Sequence, residues 1–126
     1  MKRLLLISAF SFPLSAFPAV SAGDATNAVV GEAAGAPYIV KLGVAAAIRN
    51  RDSLRGVYGF HAKHNATEPE WVWQDAARAW LQSVTNDPTH GAVNFGCKAD
   101  VDKGTFKGLH LTAVLGKGRH ATYFFK

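Results

Sequence analysis

Glu32 lies in Gly31-Glu32-Ala33-Ala34-Gly35-Ala36-Pro37 and is the only acidic residue between Asp24 and Asp52. A carboxyl set among Ala, Gly and Val is costly to ionise, because removal from water disfavours the charged form. Such a group can keep its proton near neutral pH and deliver it as a general acid. The same residue at an exposed helix end or turn would carry no chemistry. Cleavage of a glycosidic bond by paired acids asks for a second, ionised carboxyl close by. The next acidic residue is Asp52, and the largely helical chain between the two spans roughly 30 Å at about 1.5 Å per residue. If the reaction is sugar cleavage, Glu32 works alone and the substrate supplies its own nucleophile.

Other chemistries find less support. His61 and His64 are three apart, but no acidic or cysteine companion stands beside them, and a zinc site needs three or four converging ligands. They read as solvated loop histidines, so neither a metal nor a cofactor is expected. Cys97 is the only cysteine; it cannot form an internal bridge and reads as a small packed residue. No Gly-x-Ser-x-Gly elbow and no phosphate-cradling glycine loop occur.

The elements that must position Glu32 can be read from periodicity and breakers. Thr26 or Asn27 can cap a short helix over about Ala28–Ala33. Pro37 suits the first turn of a second helix over Tyr38–Arg51, in which Val40, Val44, Ala47, Ile48 and Arg51 share one face. Gly43 and Ala45-Ala46-Ala47 make that helix thin, so that another segment can approach closely. Asp52–Ala66 has no steady period and reads as a loop with Val57, Tyr58 and Phe60 as anchors; Asn65-Ala66-Thr67 matches a glycosylation sequon. Thr67 and Glu70 form a capping-box pattern for a helix running to about Val84, with Trp73, Ala77, Trp80, Leu81 and Val84 on its apolar face. One of its three tryptophans is expected to face a polar cleft, since each indole N–H needs a partner. Asn86–Gly91 is a turn, Ala92–Phe95 a short strand and Gly96–Gly108 a loop. Leu109–Leu115 and His120–Phe125 bracket Gly116-Lys117-Gly118 as a terminal hairpin. The fold class is therefore α+β and mainly helical, with a short C-terminal β-hairpin.

At 126 residues there is room for a single domain. Lys2 and Arg3, the apolar run Leu4–Phe12 and the small residues Val20-Ser21-Ala22 follow the order of an export signal, giving a leader at 1–22 and a domain at 23–126. The leader's apolar part, interrupted by Pro13 and Pro18, is too short to span a bilayer stably, so no membrane insertion is expected after cleavage. The formal net charge is +5, two of it from the leader, and the pI is about 9.6. That balance suits an anionic partner such as a wall polymer. The basic residues are scattered rather than striped, and the export signal disfavours nucleic acid. Oligomeric state leaves no signature.

Three stretches together resemble the SleB-like cell wall hydrolase family. The first is Glu32-Ala33-Ala34-Gly35-Ala36-Pro37 followed by Val44–Arg51, similar to Glu-Ala-x-Gly-x-Pro and Val-Ala-x-Val-x-x-Asn-Arg. The second is Asp87-Pro88-Thr89-His90-Gly91-Ala92-Val93-Asn94-Phe95, similar to Asp-Pro-Thr-x-Gly-Ala-x-x-Phe. The third is the tail Ala113–Lys126, where Leu115-Gly116, His120 and Phe124-Phe125 resemble a closing Ile-Gly-x-His-x-Phe. The resemblance covers nearly all of the domain, in order. It implies a lysozyme-like fold, peptidoglycan as partner, export to the periplasm or cell wall, and Glu32 as the general acid of a lytic transglycosylase or muramidase. Tyr58, Asp87, Thr89 and Asn94 are then candidates to line the cleft. The chain departs from the pattern where a Gln-Phe-Ser-like element is expected: here the segment is shorter, and Gly59 precedes Phe60. Two alternatives stand beside this reading. One is a non-catalytic wall-binding protein with the same fold; the other is a metal-dependent wall peptidase or amidase using His61 and His64.

Overall fold

The computed structural model describes residues 19–126. Residues 1–18, the greater part of the expected leader, lie outside the described residues. Ala19–Ala22 lie inside and are part of the fold. Val20 is buried at 3% exposure, Ser21 Oγ accepts the Asp24 N–H, and the Ala19 N–H donates to Asp52 Oδ1.

The helical part comprises α1 (Ala22–Ala33), α2 (Tyr38–Arg51), α3 (Glu70–Gln82) and the short α4 (Lys98–Asp102). Two 3-10 turns, Tyr58–His61 and Lys63–Thr67, bridge α2 to α3. Strands β1 (Asn94–Cys97), β2 (Leu111–Leu115) and β3 (Thr122–Phe125) form an antiparallel sheet in the order β1-β3-β2. The expected hairpin is β2–β3, and β1 pairs on its other side in the register Phe95↔Phe124 and Cys97↔Thr122. The fold class is thus the expected mainly helical α+β.

Helix α2 occupies the residues its periodicity predicts, but it is buried on all sides rather than one. Every residue from Val40 to Ile48 is buried, including Lys41. A helix apolar all round belongs in the middle of a core; here α1, α3 and the sheet enclose it. Its thin side has the expected use. A Cβ on Gly43 would stand 2.6 Å from Leu115 Cδ1 and 2.7 Å from Phe124 Cζ, so the sheet rests on bare backbone there. Lys41, 1% exposed, is tolerated because its Nζ donates to Ala36 O at 2.7 Å. Burial pushes its ammonium below the ordinary lysine range, against the opposing pull of Asp75 and Glu68. The helix ends at Asp52, which adopts a left-handed conformation and returns its N–H to Ile48 O.

Three local expectations are revised. Helix α1 starts six residues early, at Ala22, because Ser21 caps it; Thr26 Oγ1 bonds back to Ala22 O inside the helix. The Thr67/Glu70 capping box does not form, since Thr67 is consumed by the preceding 3-10 turn, where its hydroxyl donates to His64 O; Pro69 occupies the N-cap of α3. The buried face of α3 is Val72, Ala76, Ala79 and Trp80, whereas Ala77, Leu81 and Val84 face solvent. The helix is rotated so that the small side chains meet the core. Trp71 is exposed, and Trp80 is buried with the Arg49 guanidinium stacked 3.8 Å above it. Burial depresses the Arg49 pKa below its ordinary value. The guanidinium is satisfied by Trp80 O and Ser83 Oγ at the end of α3.

Candidate functional site

The site begins with a backbone contact. The Tyr58–His61 turn lies on α1 so closely that neither partner has room for a side chain. A Cβ on Gly31 would fall 1.8 Å from Gly59 O, and one on Gly59 would fall 2.6 Å from Glu32 N. Gly59, at the point of departure from the family pattern, is therefore demanded by packing: a glutamine at that position could not fit this backbone.

The close approach lets the Gly59 N–H donate to Glu32 Oε1 at 2.7 Å. Oε2 has no partner among the described residues. The other end of the Gly59 peptide is held by Asn65, whose Nδ2 donates to Gly59 O at 3.0 Å and to Asn27 Oδ1 at 2.7 Å. Asn27 Nδ2 in turn donates to Phe60 O. The result is a carboxylate of fixed position at the C-terminal end of α1. It is exposed, not desolvated as the neighbouring Ala and Gly residues suggest. Those neighbours turn inward to the core or the turn, and the Glu32 side chain turns outward.

Outward means into a cleft of about 560 Å³. Glu32 and Tyr58 form one part of its wall, Val40 and Val44 of α2 lie beneath, and Asn94–Cys97 of β1 with Asp100 and Phe106 stand among the remaining lining. Phe106 is fixed by stacking on Phe125 at 4.5 Å. The loop Gly116–Ala121 contributes Arg119, His120 and Ala121.

Of the residues proposed to line a cleft, Tyr58 and Asn94 do so, with Tyr58 88% exposed. Asp87 and Thr89 do not, and that expectation is corrected. Thr89 is completely buried, and both residues are occupied in a turn. Asp87 Oδ1 accepts the Thr89 N–H and hydroxyl at 2.8 and 2.5 Å, while Oδ2 accepts the Gly91 N–H and Asn50 Nδ2, each at 2.9 Å. Partial burial raises the Asp87 pKa, but these four hydrogen bonds outweigh it and hold the carboxyl below the usual carboxylate range. The turn needs left-handed backbone at His90 and Gly91. Its function is to tie the end of α2 to the start of β1.

Asp52 is removed from Glu32 for a reason the straight-helix estimate lacks. Helices α1 and α2 fold back on each other, and Asp52 bonds Ala19 before the start of α1, whereas Glu32 sits near its end. A helix of that length puts them roughly 18 Å apart. The other carboxylate lining the cleft is Asp100, which sequence reasoning places in a polar loop. It caps α4 by accepting the Cys97 N–H at 3.1 Å and the Cys97 Sγ–H at 3.2 Å, and these bonds depress its pKa. Cys97 is exposed at the cleft instead of packed. Only the switch from strand to short helix brings Cys97 and Asp100 to the site, and a five-residue helix has too little periodicity to be read.

His61 packs edge-on against Phe60, and His64 pairs with Glu68 at 3.1 Å. Among the described residues no three metal-ligating side chains converge, and no helix is long and apolar enough to cross a membrane.

No protein-family model and no curated protein matches the chain. Among solved structures, the fold is similar to the crystal structure of the catalytic domain of the Bacillus cereus SleB protein. The TM-score is 0.58 with 25% sequence identity, over 84% of this chain and 91% of that one. The motif resemblance and the three-dimensional likeness thus point to the same type of catalytic domain.

Proposed function

We propose that the chain is an exported enzyme that cleaves the glycan strands of peptidoglycan, with Glu32 as a single general acid/base. The observation that carries this reading is the Glu32 carboxyl, held by the Gly59 N–H and open to a cleft large enough for sugars. The likeness to the SleB catalytic domain supports the cell wall as the place of action.

In the proposed cycle the acid form of Glu32 gives its proton to the glycosidic oxygen as the bond from that oxygen to the anomeric carbon breaks. The carboxylate so formed takes the proton from the muramyl 6-hydroxyl, whose oxygen closes on the same anomeric carbon. An anhydro end results and Glu32 is reprotonated, so one carboxyl serves both halves. The fixed N–H at Oε1 leaves Oε2 to carry the proton. Tyr58 and Asn94 are the polar lining residues proposed to contact the sugars.

A second reading has one observation in its favour. Asp100 lines the same cleft and is held ionised by Cys97, as a water-activating partner must be. Purified sacculi incubated with wild type, Glu32→Gln and Asp100→Asn proteins separate the possibilities. Loss of turbidity clearance in Glu32→Gln alone, with products one water lighter than hydrolysed ends, is the expected result. Clearance by Glu32→Gln equal to wild type removes Glu32 as the acid/base, and clearance by none of the proteins removes the enzyme reading and leaves a wall-binding protein. Loss in Asp100→Asn as well, with ordinary reducing ends, selects paired-carboxylate hydrolysis.

A further inference from the structure

The cleft carries positive charge that the proposed chemistry does not use. Arg51 and Arg119 both line it, and neither is in an ion pair among the described residues, where the ion pairs are His64–Glu68, Arg78–Asp75 and Lys98–Asp102. Each guanidinium is oriented by a neutral acceptor instead. Arg119 Nε donates to His120 Nε2 at 3.2 Å, and Arg51 Nη2 donates to Arg55 O. One nitrogen is used in each case, so the remaining donors of each planar fork stay available for an oxyanion.

Their placement is as informative as their charge. Arg51 closes α2, and its Nη2 lies 3.5 Å from where a Cβ on Gly56 would stand. Arg119 sits beside His120, whose Cε1 is 3.6 Å from the corresponding position on Gly35, in the turn before α2 begins. The two arginines therefore stand toward opposite ends of α2, a helix about 20 Å long. Glu32 lies near the Arg119 end. Of the carboxylates lining the cleft, Asp100 has its Oδ2 bound to Cys97 and does not neutralise either guanidinium. Two separated, unpaired, fork-shaped cations along a groove suit a polymer that carries carboxylates at intervals.

We infer that Arg119 and Arg51 are specificity-determining residues, which bind carboxylates on the substituents of the glycan strand and select anionic strands over uncharged ones. The inference rests on the glycan-cleaving reading and names what that cleft would prefer. The carboxylate has two sources in such a polymer: the lactyl ether of a strand stripped of peptide, or the acidic residues of an attached peptide. Both present a planar oxyanion to the same donors.

The test uses the Glu32→Gln protein, so that binding is measured without turnover, with three strands of matched length. These are peptide-bearing glycan, glycan stripped to its free lactyl carboxylate, and an uncharged chito-oligosaccharide. Titration calorimetry at low salt should show one or both anionic strands bound about tenfold more tightly than the uncharged strand, the tighter one naming the source of the carboxylate. Adding Arg119→Ala should weaken the anionic strand about three- to fivefold and leave the uncharged strand unchanged, and high salt should do the same. Arg119 is exposed, so this variant keeps the fold; Arg51→Ala is the independent second variant. Equal affinity for charged and uncharged strands, or a loss in Arg119→Ala that is the same for all three, overturns the inference while leaving the glycan-cleaving reading in place. Binding of no strand by any of these proteins overturns both.

Discussion

Replacing Gly59 with alanine should detach the Tyr58–His61 turn from α1 and take the Glu32 carboxylate with it. The new Cβ would stand 2.6 Å from Glu32 N, 2.7 Å from Glu32 Cγ and 2.7 Å from Gly31 C, where ordinary contacts are 3.4–4 Å. Two of these neighbours are backbone atoms of a packed helix and cannot swing away. Gly59 is not in a left-handed conformation, so alanine suffers no torsional strain and even gains about 0.4–1 kcal/mol through the unfolded chain. Against that gain stand overpacking at about 1–3 kcal/mol and loss of the hydrogen bond to Glu32, worth about 1 kcal/mol at an exposed site. The net is a destabilisation of about 2 kcal/mol, or roughly 8–12 °C in Tm for a domain of this size. The other glycines supply an internal scale. Gly31→Ala, whose Cβ would stand 1.8 Å from Gly59 O, should be the worst. Gly35→Ala, which meets only His120 Cε1 at 3.6 Å, should be near neutral. Gly23→Ala, with nothing within 4 Å, should stabilise α1. Thermal unfolding followed by circular dichroism gives the order, and clearance of sacculi gives the activity. A Gly59→Ala protein with wild-type Tm and full activity would refute the claim that this contact positions Glu32, as would a tolerated Gly31→Ala.

Arg49→Ala should destabilise by about 2–3 kcal/mol, since it removes both the stack on Trp80 and two hydrogen bonds closing α3; denaturant unfolding checks it, and Arg49→Lys should recover only part. The Asp87 carboxyl titrates lower in the folded state than in the unfolded chain. It therefore stabilises the fold above its unfolded pKa of about 3.9, a contribution lost as pH falls through the lower folded value. Asp87→Asn should accordingly lower Tm at neutral pH and lessen the fall of Tm between about pH 4 and pH 2, as read by a pH series of melts. A protein beginning at Gly23 lacks the Val20 side chain in the core and the Ser21 cap, together worth about 2–4 kcal/mol. It should melt well below one beginning at Ala19, and equal melting temperatures would show that the segment contributes nothing.

Strong periodicity and strong breakers made α2 and the terminal hairpin readable: Pro37 before the helix and Gly116 and Gly118 between strands leave few alternatives. Where structure and local pattern differ, a tertiary contact overrides the pattern. Thr67-Glu68-Pro69-Glu70 has the composition of a capping box, but the 3-10 turn that docks on Asn27 and Gly59 claims Thr67 first. The placement of Asp87 and Thr89 shows a different limit. A motif of turn-forming and hydrogen-bonding residues looks the same in one dimension whether it faces a ligand or its own backbone, and here the Asp87 carboxylate and the Thr89 hydroxyl are taken up by each other, by backbone N–H groups and by Asn50. Glu32 was found by its isolation among small residues, although the structural meaning of those residues is contact with Gly59 rather than desolvation. Arg119, Asp100 and Cys97 carried no local signal, because only the sheet register and α4 bring them to the cleft.

The sequon at Asn65 has a practical consequence for producing the protein. Asn65 is 6% exposed, and its amide nitrogen is committed to Gly59 O, Asn27 O and Asn27 Oδ1. In the folded chain it offers no surface to a glycosyltransferase. In a eukaryotic secretory host, however, the sugar is transferred to the chain before it folds; a bulky glycan takes one of the two hydrogens of that nitrogen and does not fit the buried site, so the three bonds could not all form. Material made in such a host would carry the Tyr58–His61 turn away from α1, with Glu32 unheld. A bacterial host, or the conservative Thr67→Ala change that destroys the sequon, avoids this.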